Sequence, residues 1–167
     1  MQKAPIPKFE KERLCALEEL NILDTAAEER FDKITREAIA YFKVPIFTIT
    51  IVDAEREWFK SVQGLKTRQG PRDISFCGHA LLVQDIMILE DTLDDPRFAD
   101  NPMVMDKPGI RFYAGKSLYH QGKRLPVGVF CIKDYQPRKM TMKEVDKLLI
   151  LAKEAGDELN RVLPETI

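Results

Sequence analysis

The sequence predicts an α+β sandwich: a central antiparallel sheet of five or six strands, with the terminal helices on one face and short helices on the other. Three observations lead there. Long helical periodicity is confined to the two ends of the chain, the middle is β-branched and aromatic, and successive strands follow through short polar turns that favour antiparallel neighbours. The 167 residues suit one domain over 1–167, a size that buries roughly 70% of the unfolded chain's surface and needs no disulfide or metal to hold it.

The domain divides into an N-terminal helix at 9–23, a core at 24–140 and a C-terminal helix at 141–163. From Phe9 to Leu20, Leu14, Leu17 and Leu20 recur at three-residue steps among Glu, Lys and Arg, a thin apolar stripe on a charged helix. Thr25 and Glu28 have the spacing of a capping box, in which the Thr25 hydroxyl bonds the Glu28 amide and Glu28 reaches back. The helix they open carries Phe31, Ile34, Ala38, Tyr41 and Phe42 with helical period, and Val44-Pro45 ends it because proline forces its predecessor out of the helical region.

Ile46 to Val52 is β-branched and aromatic almost throughout, a central strand with Phe47, Ile49 and Ile51 on one face and Thr48, Thr50 and Val52 on the other. After a polar turn at Asp53 to Arg56, Trp58 to Val62 returns beside it, and Gly64 and Gly70-Pro71 mark the loop that leaves. Ser75 is the N-cap of a short helix from Phe76 to Val83, and Met87 to Leu89 is a brief strand. Asp95-Pro96 opens another short helix, which Asn101-Pro102 stops. Arg111 to Leu118 and Pro126 to Lys133 are the last strands, joined by a hairpin at Gln121-Gly122-Lys123. Thr141 and Glu144 form a second capping box, ahead of a helix with Val145, Leu148, Leu149, Ala152, Leu159 and Val162 on one stripe.

Composition narrows the partners. With 26 basic and 27 acidic residues the formal charge is −1, which argues against a dedicated nucleic-acid or polybasic membrane binder. No apolar run approaches the ~18 residues of a membrane span, and Met1 to Pro5 lacks the apolar core of a signal peptide. Cys15, Cys77 and Cys131, odd in number and far apart in sequence, are expected to be reduced thiols of a cytoplasmic protein.

The run Arg13 to Thr25 leads into "EERFDKITREAIAYFKVPIFTITIVDAEREWFKS", followed by "PRDISFCGHALL", "LEDTLDDPRFADNPMV", "GIRFYAGKSL" and "GVFCIKD". Together these resemble a bacterial GAF domain of the type found at the N-terminus of sensor histidine kinases, diguanylate cyclases and phosphodiesterases. The resemblance covers roughly residues 10 to 160. It implies a ligand pocket between the sheet and the short helices, and signalling by a shift of the terminal helices. It implies no particular ligand or cofactor, because such pockets take nucleotides, tetrapyrroles, small acids and inorganic anions.

The resemblance places Phe76, Cys77, His79, Asp91, Phe98, Asn101, Arg111 and Tyr113 in or beside that pocket, with Trp58 and Phe59 expected in its wall. Trp58 and Phe98 equally suit ordinary core packing. Arg111 has the planar fork to hold a carboxylate or phosphate, but a salt bridge to Asp91, Asp94 or Asp95 is the stronger expectation. Cys77, at a helix N-terminus, has the setting of a stabilised thiolate, against the plainer role of a small buried side chain. His79 sits two residues on, about 200° around a helix, a poor partner for a shared metal. It is expected to be structural or pocket-lining, and His120 a surface residue of the hairpin.

No phosphate loop, zinc ligand array or nucleophile elbow is present, and the Asn-Lys-x-Phe…Asp-Glu signature of cyclic-nucleotide-binding GAF domains is missing. Cys77 resembles one cysteine of the free methionine-R-sulfoxide reductases. Their catalytic cysteine would fall near Asp100 to Gly109, which holds none, so sulfoxide reduction has no first step. The expectation is a non-catalytic sensor of an unidentified small molecule, with no catalytic or metal residues. It would act as a homodimer through its terminal helices on an output kinase or cyclase domain in cis or in trans, with no nucleic-acid or membrane partner. The alternatives are a redox-responsive or thiol-based protein centred on Cys77, and a ligand-free interaction scaffold whose pocket is filled by its own side chains.

Overall fold

The β-branched run in the middle of the chain forms β1 (Ile46–Val52), buried along its whole length and paired on both sides. The computed structural model describes residues 1–162. Around β1 lie β2 (Arg56–Gln63), β3 (Gln69–Pro71), β4 (Ile86–Leu89), β5 (Phe112–His120) and β6 (Leu125–Asp134), in the order β3-β2-β1-β6-β5-β4 with every neighbour antiparallel. The helices are α1 (Glu10–Glu19), α2 (Glu29–Phe42), α3 (Phe76–Ala80), α4 (Pro102–Met105) and α5 (Met142–Asn160). None of them is long and apolar enough to cross a membrane.

Side-chain alternation along β1 sorts the interior into two cores, as its sequence predicts. Phe47, Ile49 and Ile51 pack with residues of α1, α2 and α5, among them Leu17, Phe31, Phe42, Leu148 and Leu151. Ile46 and Val52 face the other way, into a core shared with Phe76, Phe98, Tyr113, Val129 and Cys131. The sheet is thus a partition between a terminal-helix layer and a short-helix layer.

Several local expectations are corrected. Gly70-Pro71 belongs to the three-residue edge strand β3, where proline's missing donor costs nothing. Thr25 does not cap α2, which starts at Glu29 without a side-chain cap. Its hydroxyl donates to Ile22 O at 2.6 Å and accepts from Lys60 Nζ at 2.7 Å, so a cation from β2 takes the oxygen that the cap would use. The Lys60 ammonium also meets Glu28 Oε2 at 2.6 Å and Ala26 O at 2.7 Å, which holds this loop against the sheet. Asn101-Pro102 starts a helix rather than stopping one: Asn101 caps α4 by accepting from Met103 N, with Pro102 in the first turn. Residues 96–100 before it form hydrogen-bonded turns.

At the C-terminal end Thr141 accepts from Glu144 N at 3.2 Å, while the Glu144 carboxylate turns to Arg138 instead of reaching back. Leu148, Ala152 and Leu159 are buried on the sheet, whereas Leu149 and Val162 of the expected stripe are exposed. Leu163, the end of the expected helix, lies outside the described residues.

Candidate functional site

Antiparallel register brings a polar cluster to the short-helix face of the sheet. Thr48 on β1 lies opposite Cys131 on β6, Lys133 lies opposite Tyr113 on β5, and Glu57 on β2 lies opposite Val52. From the other side Ser75 caps α3 by accepting from Gly78 N at 3.1 Å, and its hydroxyl donates to Glu57 Oε2 at 2.6 Å. Thr48 Oγ1 is 2.8 Å from Thr50 Oγ1 and 3.0 Å from Cys131 Sγ. The Tyr113 hydroxyl donates to Cys77 Sγ at 3.3 Å, and Cys77 donates to Cys131 Sγ at 3.5 Å. Gly115 makes room for this arrangement, since a Cβ there would lie 2.4 Å from the Tyr113 oxygen.

The cluster holds a full charge. Lys133 is 1% exposed and its ammonium has no hydrogen-bond partner among the described residues; it lies 5.7 Å from the centre of the Phe59 ring. Burial works to lower its pKa, but the Glu57 carboxylate and the Cys131 and Cys77 sulfurs outweigh burial and raise it. Burial raises the Cys77 thiol well above its ordinary range, reinforced by Cys131 and Glu57. At Cys131 burial is again the largest influence and acts upward, yet the Cys77 hydrogen bond, the Lys133 charge and the Thr48 hydroxyl together bring it below the ordinary thiol value. Tyr113 is raised by burial and by the neighbouring sulfurs.

An aromatic stack closes the cluster. Phe76 stacks on Tyr113 at 5.2 Å and on Phe98 at 5.0 Å, and His79 meets the Phe98 ring edge-on at 4.7 Å. His79 Nε2 is 3.2 Å from Gln2 O, and burial lowers its pKa. The N-terminal segment passes over this layer, with Ala4 N donating to Asp73 O and Gln2 N to Arg97 O. Clefts of ≈ 440 and ≈ 530 Å³ lie elsewhere, around α1, the loop after it and the end of α5.

Of the residues singled out from sequence, Phe76, Cys77, His79, Phe98 and Tyr113 come together here. Trp58 does not. It pairs with Ile51 and joins the opposite core, because adjacent strand residues point to opposite faces and Phe59 takes the site side. Arg111 is bound by Asp91 through two bonds, Nε to Oδ1 at 3.0 Å and Nη2 to Oδ2 at 2.8 Å, on a partly exposed edge. Asn101 is buried but occupied structurally, as the α4 cap and as donor to Ile74 O at 2.9 Å. His120 is half-buried against Glu19, with 3.1 Å between Nε2 and Oε2. No group of three His, Cys, Asp or Glu among the described residues could hold a metal ion.

The residues missed from sequence are Glu57, Thr48, Cys131 and Lys133. A signal was available: in "VFCIKD" Cys131 and Lys133 are two apart on a strand, so a thiol and a cation share one face.

Comparison with known proteins agrees with this architecture. The family model for the GAF domain matches residues 26–159. The chain is 41% identical over 138 residues to a cyclic di-GMP phosphodiesterase of Pseudomonas aeruginosa, a match covering 83% of this chain and 23% of that protein's length. Among solved structures, the GAF domain of an Acinetobacter phosphoenolpyruvate-protein phosphotransferase is similar at a TM-score of 0.61 and 16% identity, over 89% of this chain and 92% of that one. A free methionine-R-sulfoxide reductase from Neisseria meningitidis is similar at a TM-score of 0.59 and 16% identity, over 96% and 98%. At such identities the likeness is one of fold. Together, the matched residues and the six-stranded sheet with its two helical layers establish that the chain belongs to the GAF domain family.

Proposed function

We propose that this GAF domain is a non-catalytic regulatory module whose ligand site is the polar interior between the sheet and α3, and whose terminal helices carry the response to an output domain. The observation that supports it is the Lys133 ammonium, buried with no hydrogen-bond partner among the described residues and acted on by the Glu57 carboxylate. A buried charge with no hydrogen-bond acceptor is costly to fold around, and an anionic group supplied by a ligand would satisfy it. The ligand class is therefore a small molecule bearing a carboxylate or phosphate. The aromatic stack of Phe76, Tyr113 and Phe98 occupies the neighbouring space, so entry requires α3 to shift.

A route to the terminal helices exists beside the site. Arg72, three residues before Ser75, reaches Glu10 on α1 with Nη2 3.2 Å from Oε2, and its carbonyl accepts from Ser75 N at 3.0 Å. Movement of α3 would thus pull on α1. The relative that is 41% identical acts on cyclic di-GMP, and this chain spans 23% of it. We read the chain as the sensing portion of a signalling protein of that kind.

Thermal denaturation across a panel of small carboxylates, phosphates and nucleotides tests this. At least one compound should raise the midpoint of the wild type and leave Lys133→Met unmoved. A panel that shifts neither protein, or shifts both equally, would contradict the site.

A further inference from the structure

The two buried thiols form a pair that their separation in sequence conceals. Cys77, near the start of α3, and Cys131, on the central strand β6, are both 0% exposed, and 3.5 Å separates their sulfurs. Neither is in a disulfide. A disulfide has its sulfurs ~2.04 Å apart, so closure asks for an approach of about 1.5 Å, within reach of side-chain rotation and a small shift of α3. The pair is also asymmetric. Cys77 donates its hydrogen bond to Cys131 and receives one from the Tyr113 hydroxyl, while Cys131 has Thr48 Oγ1 at 3.0 Å and the Lys133 ammonium two residues along the same face. The charged and titratable groups facing the pair are Glu57 from β2, Tyr113 from β5 and Lys133 from β6. Their balance, with the hydrogen bond from Cys77, makes Cys131 the more acidic thiol and keeps Cys77 protonated. That is the division between an attacking thiolate and a resolving thiol.

We infer that Cys77 and Cys131 are a peroxide-sensitive pair that closes into an intramolecular disulfide and bolts α3 to the sheet. The Cys131 thiolate attacks one oxygen of hydrogen peroxide; the S–O bond forms, the O–O bond breaks and hydroxide leaves, so Cys131 becomes a sulfenic acid. The Cys77 sulfur then attacks the sulfenic sulfur. The S–S bond forms, the S–O bond breaks, and the departing hydroxide takes the Cys77 proton as water. In sum two thiols lose two electrons and two protons, and one peroxide becomes two waters. Because both sulfurs are buried, the rate follows the opening of the α3 layer, and the bond then holds that layer closed. This inference does not rest on the ligand proposed above.

The test uses a Cys15→Ser protein, which removes the exposed thiol on α1. It is treated with hydrogen peroxide while folded, then denatured, alkylated and weighed intact, and its proteolytic peptides are mapped. The expected product is about 2 Da lighter than the reduced chain before alkylation, takes no alkyl groups, yields a cross-linked peptide joining Cys77 to Cys131, and returns to the dithiol with reductant. Cys77→Ser and Cys131→Ser in that background should give no such product. The peptide map of the Cys15→Ser protein decides the matter alone if a serine variant fails to fold. Full alkylation of both thiols after a peroxide dose that oxidises Cys15 in the wild type would overturn the inference. So would oxidation to sulfinic or sulfonic acid without a cross-link.

Discussion

Glu10 shows how a single side chain organises the region between α1 and the site. Arg13 donates to it through Nε and Nη2, both at 2.8 Å, and spends Nη1 on Val52 O at 2.7 Å. Arg72 joins the same carboxylate from the far side. Arg13 is 0% exposed and Arg72 2%, so Glu10 neutralises two cations that water cannot. Burial pushes the Glu10 carboxyl upward, and the two guanidiniums override it and hold the pKa at about 2, against 4.5 ordinarily. A carboxyl whose folded pKa is depressed contributes its stability above the unfolded value and loses it as pH falls through the folded one. Glu10→Gln should therefore cost about 3 kcal/mol at neutral pH, because it strands buried charge. Urea denaturation of both proteins from about pH 7 to about pH 2 checks this. The gap should stay constant down to about pH 4.5 and narrow below it. Nothing in "FEKERLCALEE" singles out Arg13 as buried, since it lies among five other charged side chains on a short helix, and the acceptor Val52 O and the second cation Arg72 come from β1 and from the turn before α3.

At the scale of the elements, what the sequence made legible is what local pattern decides. β1 spans Ile46–Val52 as predicted because β-branching and alternation specify a strand regardless of its neighbours. Ser75 and Thr141 cap their helices, and the Ser75 oxygen does so while its own proton goes to Glu57. Thr25 failed where Lys60, thirty-five residues on, took the same atom, and Trp58 was misplaced because strand phase relative to β1 is fixed by register. The site followed the same rule. Phe76, Cys77 and His79 sit together in "SFCGHA" and Cys131 and Lys133 in "VFCIKD", whereas their meeting with Glu57 and Tyr113 depends on pairings no local window contains.

The N-terminal segment gives an element-scale prediction. A Cβ at Gly78 would lie 2.5 Å from the Ala4 Cβ and 3.3 Å from Arg72 O, so α3 and the strap over it touch at a glycine. Gly78→Ala should displace the strap at a cost of about 1–3 kcal/mol, the range for overpacking. Hydrogen exchange should then accelerate at the Ala4 amide, whose acceptor is Asp73 O, while β1 amides keep their protection. Unchanged exchange at Ala4 would mean that the strap and α3 move independently.

For the whole molecule, the sheet separates a layer that holds the candidate site from a layer built of α1, α2 and α5, and under the proposed function the response to a ligand has to pass around or through it. The expected pairing with a second copy would use the outer face of α5. Met142, Val145 and Leu149 have heptad spacing, and Met142 at 76% and Leu149 at 38% exposure leave apolar side chains uncovered. Light scattering should give a dimer mass for the wild type and a monomer mass for Leu149→Glu; a wild-type monomer at high concentration would remove this route of transmission. Native mass spectrometry of freshly purified protein reads out the proposed binding of a small anionic molecule in the charged interior around Lys133. The wild type should carry a small-molecule mass above that of the polypeptide, which Lys133→Met lacks; bare polypeptide in both, or the same added mass in both, would contradict it.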